Sequence, residues 1–227
     1  MIAAVFKAVG DCALLVEFGS QEDEALNRLI ITLDRVISEA GIPGVRETVP
    51  ALVNLLVVFD PVETDHVEIE AAIQGLLPLP DAAQDQATHH DVPVCFDPEL
   101  TPDLQDVAKA CNMRIDEVVD VITQTHLKVA MYGFAPGYAY LTGVPERLRV
   151  PRKQTPKPDV PKGSILMAGA QSIITPLTMP TGWSIIGRSA FEVMQTQGET
   201  SFRFQVGDTI RYRAIGRSDL PSELLAV

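Results

Sequence analysis

Cysteine, histidine and basic residues are all scarce in this 227-residue chain, and each shortage excludes something. The three cysteines, Cys12, Cys95 and Cys111, are odd in number and none lies in a Cys-x-x-Cys pair. The expectation is therefore buried thiols in a reducing cytoplasm, without a disulfide framework. The four histidines, His66, His89, His90 and His126, show no His-Glu-x-x-His or Cys-x-x-Cys…His spacing, so no metal site is expected. Lys and Arg total 18 against 30 Asp and Glu, a net charge of −12. Such a surface repels phosphate backbones and anionic lipid, so neither nucleic acid nor a membrane is expected as a partner. Long hydrophobic runs are missing too. The longest uncharged apolar stretch, residues 51–59, falls well short of the ~20 residues of a membrane span. The first seven residues lack the basic, apolar and cleavage regions of a leader. No Walker loop, Gly-x-Ser-x-Gly elbow or carboxylate-pair motif occurs, so the sequence assigns no catalytic residue.

What is present is enough apolar residue, 46% of the chain, to bury a core. Residues 1–9 and 11–18 read as strands joined at Gly10-Asp11. Ser20 is the expected N-cap of a helix whose apolar residues recur at Leu26, Leu29, Ile30, Leu33, Val36 and Ile37, one face of a 3.6-residue period. Gly41 and Pro43 stop it. Residues 46–49 and 52–59 read as strands, the second so apolar that burial on both faces is expected. A second helix carries Ile69, Ala72, Ile73 and Leu76 and ends before Pro78. Two amphipathic helices on an antiparallel sheet make an α+β domain over residues 1–80. Residues 81–91 read as a linker, part of a Pro-, Ala-, Gln- and Asp-rich stretch.

Residues 92–227 have a different texture. Residues 92–96 read as a strand, Thr101-Pro102 as the start of a helix with Leu104, Val107, Ala108 and Cys111 on its inner face, and residues 115–122 as a second helix. Residues 133–188 then hold 7 of the 15 glycines and 8 of the 17 prolines, with short apolar runs between them. That spacing suits a β-barrel of short strands and structured loops. Phe202, Phe204 and Val206 alternate like a strand, before a turn at residues 206–208.

The candidate chemistry lies in the barrel region. Residues 131–141 place Tyr132, Phe134, Tyr138 and Tyr140 around Gly133, Pro136 and Gly137, a rigid loop able to present rings with hydroxyl handles. Residues 151–163 carry Arg152, Lys153, Lys157 and Lys162 between prolines, a stiff basic island suited to a carboxylate or phosphate. Gln171 offers donor and acceptor, Arg188 a guanidinium fork, and Trp183 reads as core.

The linked order of residues 133–141, Pro151-Arg152, Pro156, Val160-Pro161, Gly163-Ser164, Ala168-Gly169, Gln171, Pro176, Gly182-Trp183 and Ile186-Gly187-Arg188 resembles the carboxyltransferase subdomain C/D family, also called allophanate hydrolase subunit 1. The resemblance extends to residues 55–61 and 92–96. It implies an N-terminal α+β domain followed by a cyclophilin-like β-barrel. It also implies a cytoplasmic B subunit of an ATP-dependent 5-oxoprolinase, opening 5-oxoproline to glutamate and inactive alone. The implied partners are a subunit 2-type protein (the C subunit) and a third, lactam-hydrolase-type subunit, with the ATP site on or shared with a partner. Two alternatives come with the family: the carboxyltransferase half of a biotin-dependent urea or allophanate-type enzyme, and a non-catalytic histidine-kinase inhibitor. The expected substrate-binding residues are Tyr132, Phe134, Pro136, Gly137, Tyr138, Arg152, Gln171 and Arg188.

Overall fold

A computed structural model describes residues 4–79, 87–195 and 201–225. The chain divides into two compact units, residues 1–86 and 87–227. The first holds β1 (Val5–Val9), β2 (Ala13–Glu17), α1 (Glu24–Ala40), β3 (Val45–Pro50), β4 (Asn54–Phe59) and α2 (His66–Gly75). The four strands form one antiparallel sheet in the order β1-β2-β4-β3. Both helices lie on one face. Leu26, Ile30, Leu33 and Ile37 of α1 and Ile69 and Ile73 of α2 share a core with Leu14, Val16, Leu55, Val57 and Phe59. Each such aliphatic side chain contributes about 1.5–3 kcal/mol when fully withdrawn from water.

Helix boundaries follow local chemistry. The N-cap of α1 is Asp23, three residues beyond the expected Ser20. Its carboxylate accepts from the N–H groups of Ala25 (2.7 Å) and Leu26 (3.2 Å). A carboxylate also suits the positive end of the helix dipole, which a serine hydroxyl serves less well. Gly41 ends α1 in the left-handed region, at φ 58°. Asp65 caps α2 in the same way as Asp23 caps α1. Strand β4 is not buried on both faces: Leu55, Val57 and Phe59 are buried and their alternates are half-buried. With both helices on one side, its second face has no covering layer within this unit.

The second unit contains β5 (His89–Cys95), α3 (Leu104–Ala110), α4 (Ile115–Gln124), β6 (Leu127–Tyr132), β7 (Ala139–Thr142), β8 (Lys157–Val160), β9 (Ser164–Ala168), β10 (Gln171–Ile174), β11 (Met179–Thr181), β12 (Ser184–Arg188) and β13 (Thr209–Ile215). Seven strands close a barrel in the order β10-β7-β6-β13-β5-β12-β9, sealed by the β9–β10 ladder. All pairings in it are antiparallel except β5 with β13. One core takes side chains from every barrel strand, among them Val92, Val129, Leu141, Ile165, Ile174, Ile186 and Tyr212, and so fills the interior. Leu104 and Val107 of α3 and Val118 and Ile122 of α4 join it. The alternate residues Leu166, Ala168, Ile173 and Ile185 face outward. They form a second core with Tyr138, Trp183 and, from the separate two-stranded β8–β11 sheet, Val160 and Met179.

Several expectations shift here. β5 begins at His89, inside the expected linker, and residues 80–86 of that linker lie outside the described residues. Helix α3 starts at Leu104, because Thr101 is held in a turn by its hydroxyl bond to Asp97 O (2.9 Å). Residues 202–206 are not a strand. Phe202 makes one isolated bridge to Met194, and Phe204 is buried by stacking on Phe191 at 5.0 Å. Of the three thiols, all free, only Cys95 is buried; Cys12 and Cys111 are half-buried.

One carboxylate sits against the grain. Asp34 of α1 is half-buried and accepts from the Thr48 hydroxyl of β3. Burial outweighs that bond and holds the carboxyl above its ordinary value of 3.8. The folded chain therefore keeps a proton that the unfolded chain loses. Stability from this group is complete below the unfolded pKa and is lost as pH rises through the folded one. Asp34→Asn keeps an acceptor for Thr48 without the charge. It is expected to raise Tm at pH 7 and to leave it unchanged near pH 3.5, as read by thermal melts at the two pH values.

Candidate functional site

The outward core carries a row of aromatic rings. Phe134 lies 5.2 Å from Tyr138, Tyr138 5.2 Å from Tyr140, and Tyr140 6.1 Å from Trp183, each pair tilted or edge to face. The loop before β7 that sets this row is folded on its own backbone. Ala135 N–H donates to Gly133 O (2.8 Å), Tyr138 N–H to Ala135 O (3.0 Å), and Gly133 N–H to Tyr138 O (3.2 Å). Gly137 takes φ 74° and packs closely; a Cβ there would stand 2.6 Å from Met194 Cγ and 3.2 Å from Pro176 Cβ. Phe134 takes φ 69°, a left-handed conformation unfavourable for a side chain of its size, and leaves its ring 75% exposed. Pro136 is exposed beside it.

Arg152 joins this row from the proline-rich segment. Its charge acts on the Tyr138 and Tyr140 phenols, opposing the burial that raises both, Tyr138 to about 12. At neutral pH both phenols keep their protons and can donate. The Arg152 guanidinium also borders Gly182: a Cβ there would lie in ordinary contact with Arg152 Nε, at 3.9 Å. The residue that follows the arginine is fixed. Lys153 N–H donates to Gly182 O (2.6 Å), and Lys153 Nζ reaches Asp103 Oδ2 (2.6 Å). The same Asp103 oxygen accepts from Ile185 N–H of β12 (2.8 Å). Arg152 itself is exposed and makes no hydrogen bond or ion pair with a described residue.

The other expected residues lie elsewhere. Tyr132 donates its hydroxyl to Phe204 O (3.0 Å) and stacks on Phe202 at 4.7 Å, packed against the barrel core and away from Tyr138. Burial raises its pKa. Gln171 opens β10 opposite Thr142, on the outward face, and none of the ring contacts reaches it. Arg188 ends β12 and is buried, 3% exposed. Its one hydrogen bond runs from Nη1 to Lys162 O (3.3 Å), and its Nε is sealed without a partner. Of the other basic residues, Lys162 pairs with Glu192 (2.7 Å), while Lys157 stands opposite Thr181 in the β8–β11 ladder. Tyr140 and Trp183, absent from the expected set, complete the row. Tyr140 was among the rings that the sequence singled out in residues 131–141; Trp183 carried only the signal of core.

With this geometry in view, comparison with known proteins places the chain. Residues 4–204 match the carboxyltransferase domain, subdomain C and D, family. The chain belongs to that family. Three curated relatives, 26–31% identical, are each named as the B subunit of 5-oxoprolinase. The Bacillus subtilis (strain 168) protein is 30% identical over 228 residues, 93% of this chain and 92% of its own length. Among solved structures, TTHA0988 superposes with a TM-score of 0.80 at 29% identity over 93% of this chain. This chain spans about two fifths of TTHA0988, 41%. Kluyveromyces lactis urea carboxylase matches 96% of this chain with a TM-score of 0.76 but only 13% identity, which shows a shared fold alone. Among the described residues no group of histidines, cysteines and carboxylates is placed to hold a metal ion, and no helix is long and apolar enough to cross a membrane.

Arg188 makes a test of its own. Burial disfavours its charge, and no carboxylate offsets that cost within ion-pairing distance among the described residues. Arg188→Met, of similar length without the charge, is expected to hold or raise Tm, whereas truncation to Ala lowers it by leaving a void. A fall in Tm for Met equal to that for Ala contradicts this reading.

Proposed function

We propose that this chain is the B subunit of a cytoplasmic, ATP-dependent 5-oxoprolinase, opening 5-oxoproline to glutamate with a subunit 2-type partner and a third, lactam-hydrolase-type subunit. The observation that carries the reading is the likeness to proteins of that name over nearly the whole of both chains. The barrel is read as the cyclophilin-like domain that the family implies, and Phe134, Pro136, Gly137, Tyr138, Arg152 and Gln171 as the lip of the substrate site. Tyr132 acts from behind it, as a support of the barrel wall, and Arg188, buried at the end of β12, is left outside the lip. The 13% likeness to urea carboxylase carries no activity, so the biotin-dependent alternative has no separate support.

The residues of the site limit what this subunit does. Phenols held in their neutral form donate hydrogen bonds to a carbonyl or carboxylate without moving protons at neutral pH. The guanidinium orients an anion. The Asp103 carboxylate on this face is engaged by Lys153 and Ile185 N–H, so the role proposed is binding and orientation, with the attacking water activated on a partner. Nor do the described residues form a triphosphate cradle. The N-termini of α1 and α2, where a phosphate would bind, are filled by the carboxylates of Asp23 and Asp65, and α4 opens on Asp116 and Glu117. The reading therefore puts ATP on a partner or across a shared interface.

Phe134 is the proposed contact with that partner. An exposed ring on a strained backbone is unfavourable in the isolated chain and becomes favourable when a second protein covers it. Tyr138, 5% exposed, is too buried for that role. Two results are expected. The purified chain shows no 5-oxoproline-dependent ATP hydrolysis until its partners are added; full activity of the chain alone contradicts the proposal. Phe134→Ala leaves Tm unchanged and weakens capture of the subunit 2-type partner about tenfold or more, measured by co-purification and titration. Unchanged capture moves the interface elsewhere.

A further inference from the structure

Arg188 ends β12 where the barrel is braced by buried hydroxyls. It lies opposite Ser164 of β9 and Cys95 of β5 in the ladders. Ser164, Thr175 and Ser189 are buried beside it in the chain fold, and each is satisfied. The Ser164 and Thr175 hydroxyls donate to Pro161 O (2.8 and 2.9 Å), and the Ser189 hydroxyl to Pro93 O (2.6 Å). Backbone bonds close the same turn: Gly163 N–H donates to Thr175 O and Ser189 N–H to Gly163 O, both at 2.8 Å. Gly163 takes φ 80°, and a Cβ there would stand 2.3 Å from Ser189 O, so the turn admits no other residue without moving. Arg188 runs along this turn. Its Cδ is 3.9 Å from that same Cβ position, and its Nη1 donates to Lys162 O (3.3 Å).

The rest of the guanidinium is unspent. Nε is sealed from solvent without a partner. Nη2 has no partner among the described residues either, yet it is not among the sealed atoms, so solvent reaches it. Nε and Nη2 together form the edge with which an arginine grips an oxyanion through two parallel bonds. Two other arginines of this chain use it in that way. Arg211 sets Nε and Nη2 on Asp91 (2.9 and 3.2 Å), and Arg114 sets the same two atoms on Asp116. Both of those pairs are solvent-exposed, where the gain is small. Arg188, 3% exposed, keeps the edge unused where an unmatched charge costs most, and burial pulls its pKa below the ordinary arginine value. Buried charges are ordinarily met by a counter-charge, and an apolar side chain would fill the same place at less cost.

We propose that Arg188 is the receptor of a compact oxyanion, phosphate or carboxylate, held on its Nε–Nη2 edge. The anion enters at Nη2, the corner open to solvent, and the atoms over Nε yield to admit a second oxygen. A single open corner restricts the ligand to a small one. The braced turn fixes Nη1 and with it the direction in which the other two nitrogens point. Arg152, not Arg188, is the charge that acts on the Tyr138 and Tyr140 phenols, so the two arginines serve different sites. The inference does not rest on the proposed function.

The full chain is melted in phosphate and, separately, in formate, each raised in steps against chloride at constant ionic strength. A ligand that binds only the folded chain raises Tm by mass action. A rise of about 3 °C or more is expected for the wild type with at least one of the two anions, and none for Arg188→Met. The wild type thus gains on the variant as the anion is added, although in chloride the variant melts level with it or above it. Arg188→Lys, which keeps a charge and loses the fork, is expected to bind about tenfold more weakly. Isothermal titration of the wild type reads the same binding without any variant. A rise with phosphate alone or with formate alone upholds the site and names the class of its ligand. No saturable binding of either anion to the wild type, or an equal rise in Arg188→Met, overturns the site. A rise kept in Arg188→Met and lost in Arg152→Met overturns it too, and places the anion at the ring row.

Discussion

One carboxylate oxygen, Asp103 Oδ2, organises the outward face of the barrel. It accepts from Ile185 N–H, inside a barrel strand, and from Lys153 Nζ, in an extended segment with no ladder of its own. Asp103 N–H returns a bond to Ile185 O (3.3 Å), so the residue is fixed by backbone as well as side chain. A proline-flanked segment is stiff but does not choose where to lie. The ion pair and the Lys153 N–H bond to Gly182 O choose for it, and so set the course of the backbone at Arg152, one residue away. With 27% and 19% side-chain exposure, the pair is shielded enough to be worth more than a surface bridge.

The alternation along β9 is what makes this face a separate apolar layer. Ile165 and Met167 fill the barrel, while Leu166 and Ala168 point outward and need cover. The two-stranded β8–β11 sheet and the loop before β7 supply it, and covering an apolar wall with tyrosines leaves polar edges at the surface. A barrel lined on its outer side by aliphatic residues alone would have gained the same burial without any open hydroxyls. The aromatic edge of this face is in this sense a by-product of how the barrel is sealed.

Much of this was legible in the sequence, and the parts that were not share a cause. The 3.6-residue rhythm from Leu26 to Ile37 gave α1, and the density of glycine and proline gave the barrel, because both depend on neighbours in the chain. The cap of α1 was displaced because Ser20 and Asp23 are both able acceptors and only geometry separates them. The alternation of Phe202, Phe204 and Val206 imitates a strand, yet Phe204 is buried by Phe191 and His90, two contacts remote in sequence. The parallel pairing of β5 with β13 joins residues 120 apart and has no local signature. At the site, residue type and spacing singled out Phe134, Tyr138 and Arg152. The same reasoning could not see that the Tyr132 hydroxyl is used by Phe204 O, 72 residues on, or that Arg188 is buried. Trp183 reads as core and is core, its ring edge to face with Tyr140.

The central claim is that Arg152 and the ring row form the lip of the substrate site proposed for this chain. A crystal structure of the protein grown with 5-oxoproline tests it most directly. The account predicts the carboxylate on the Arg152 guanidinium beside Tyr138, with the Asp103–Lys153 pair intact. Arg152 turned away to a carboxylate of its own chain, or the ligand bound at another place with the ring row bare, would contradict it.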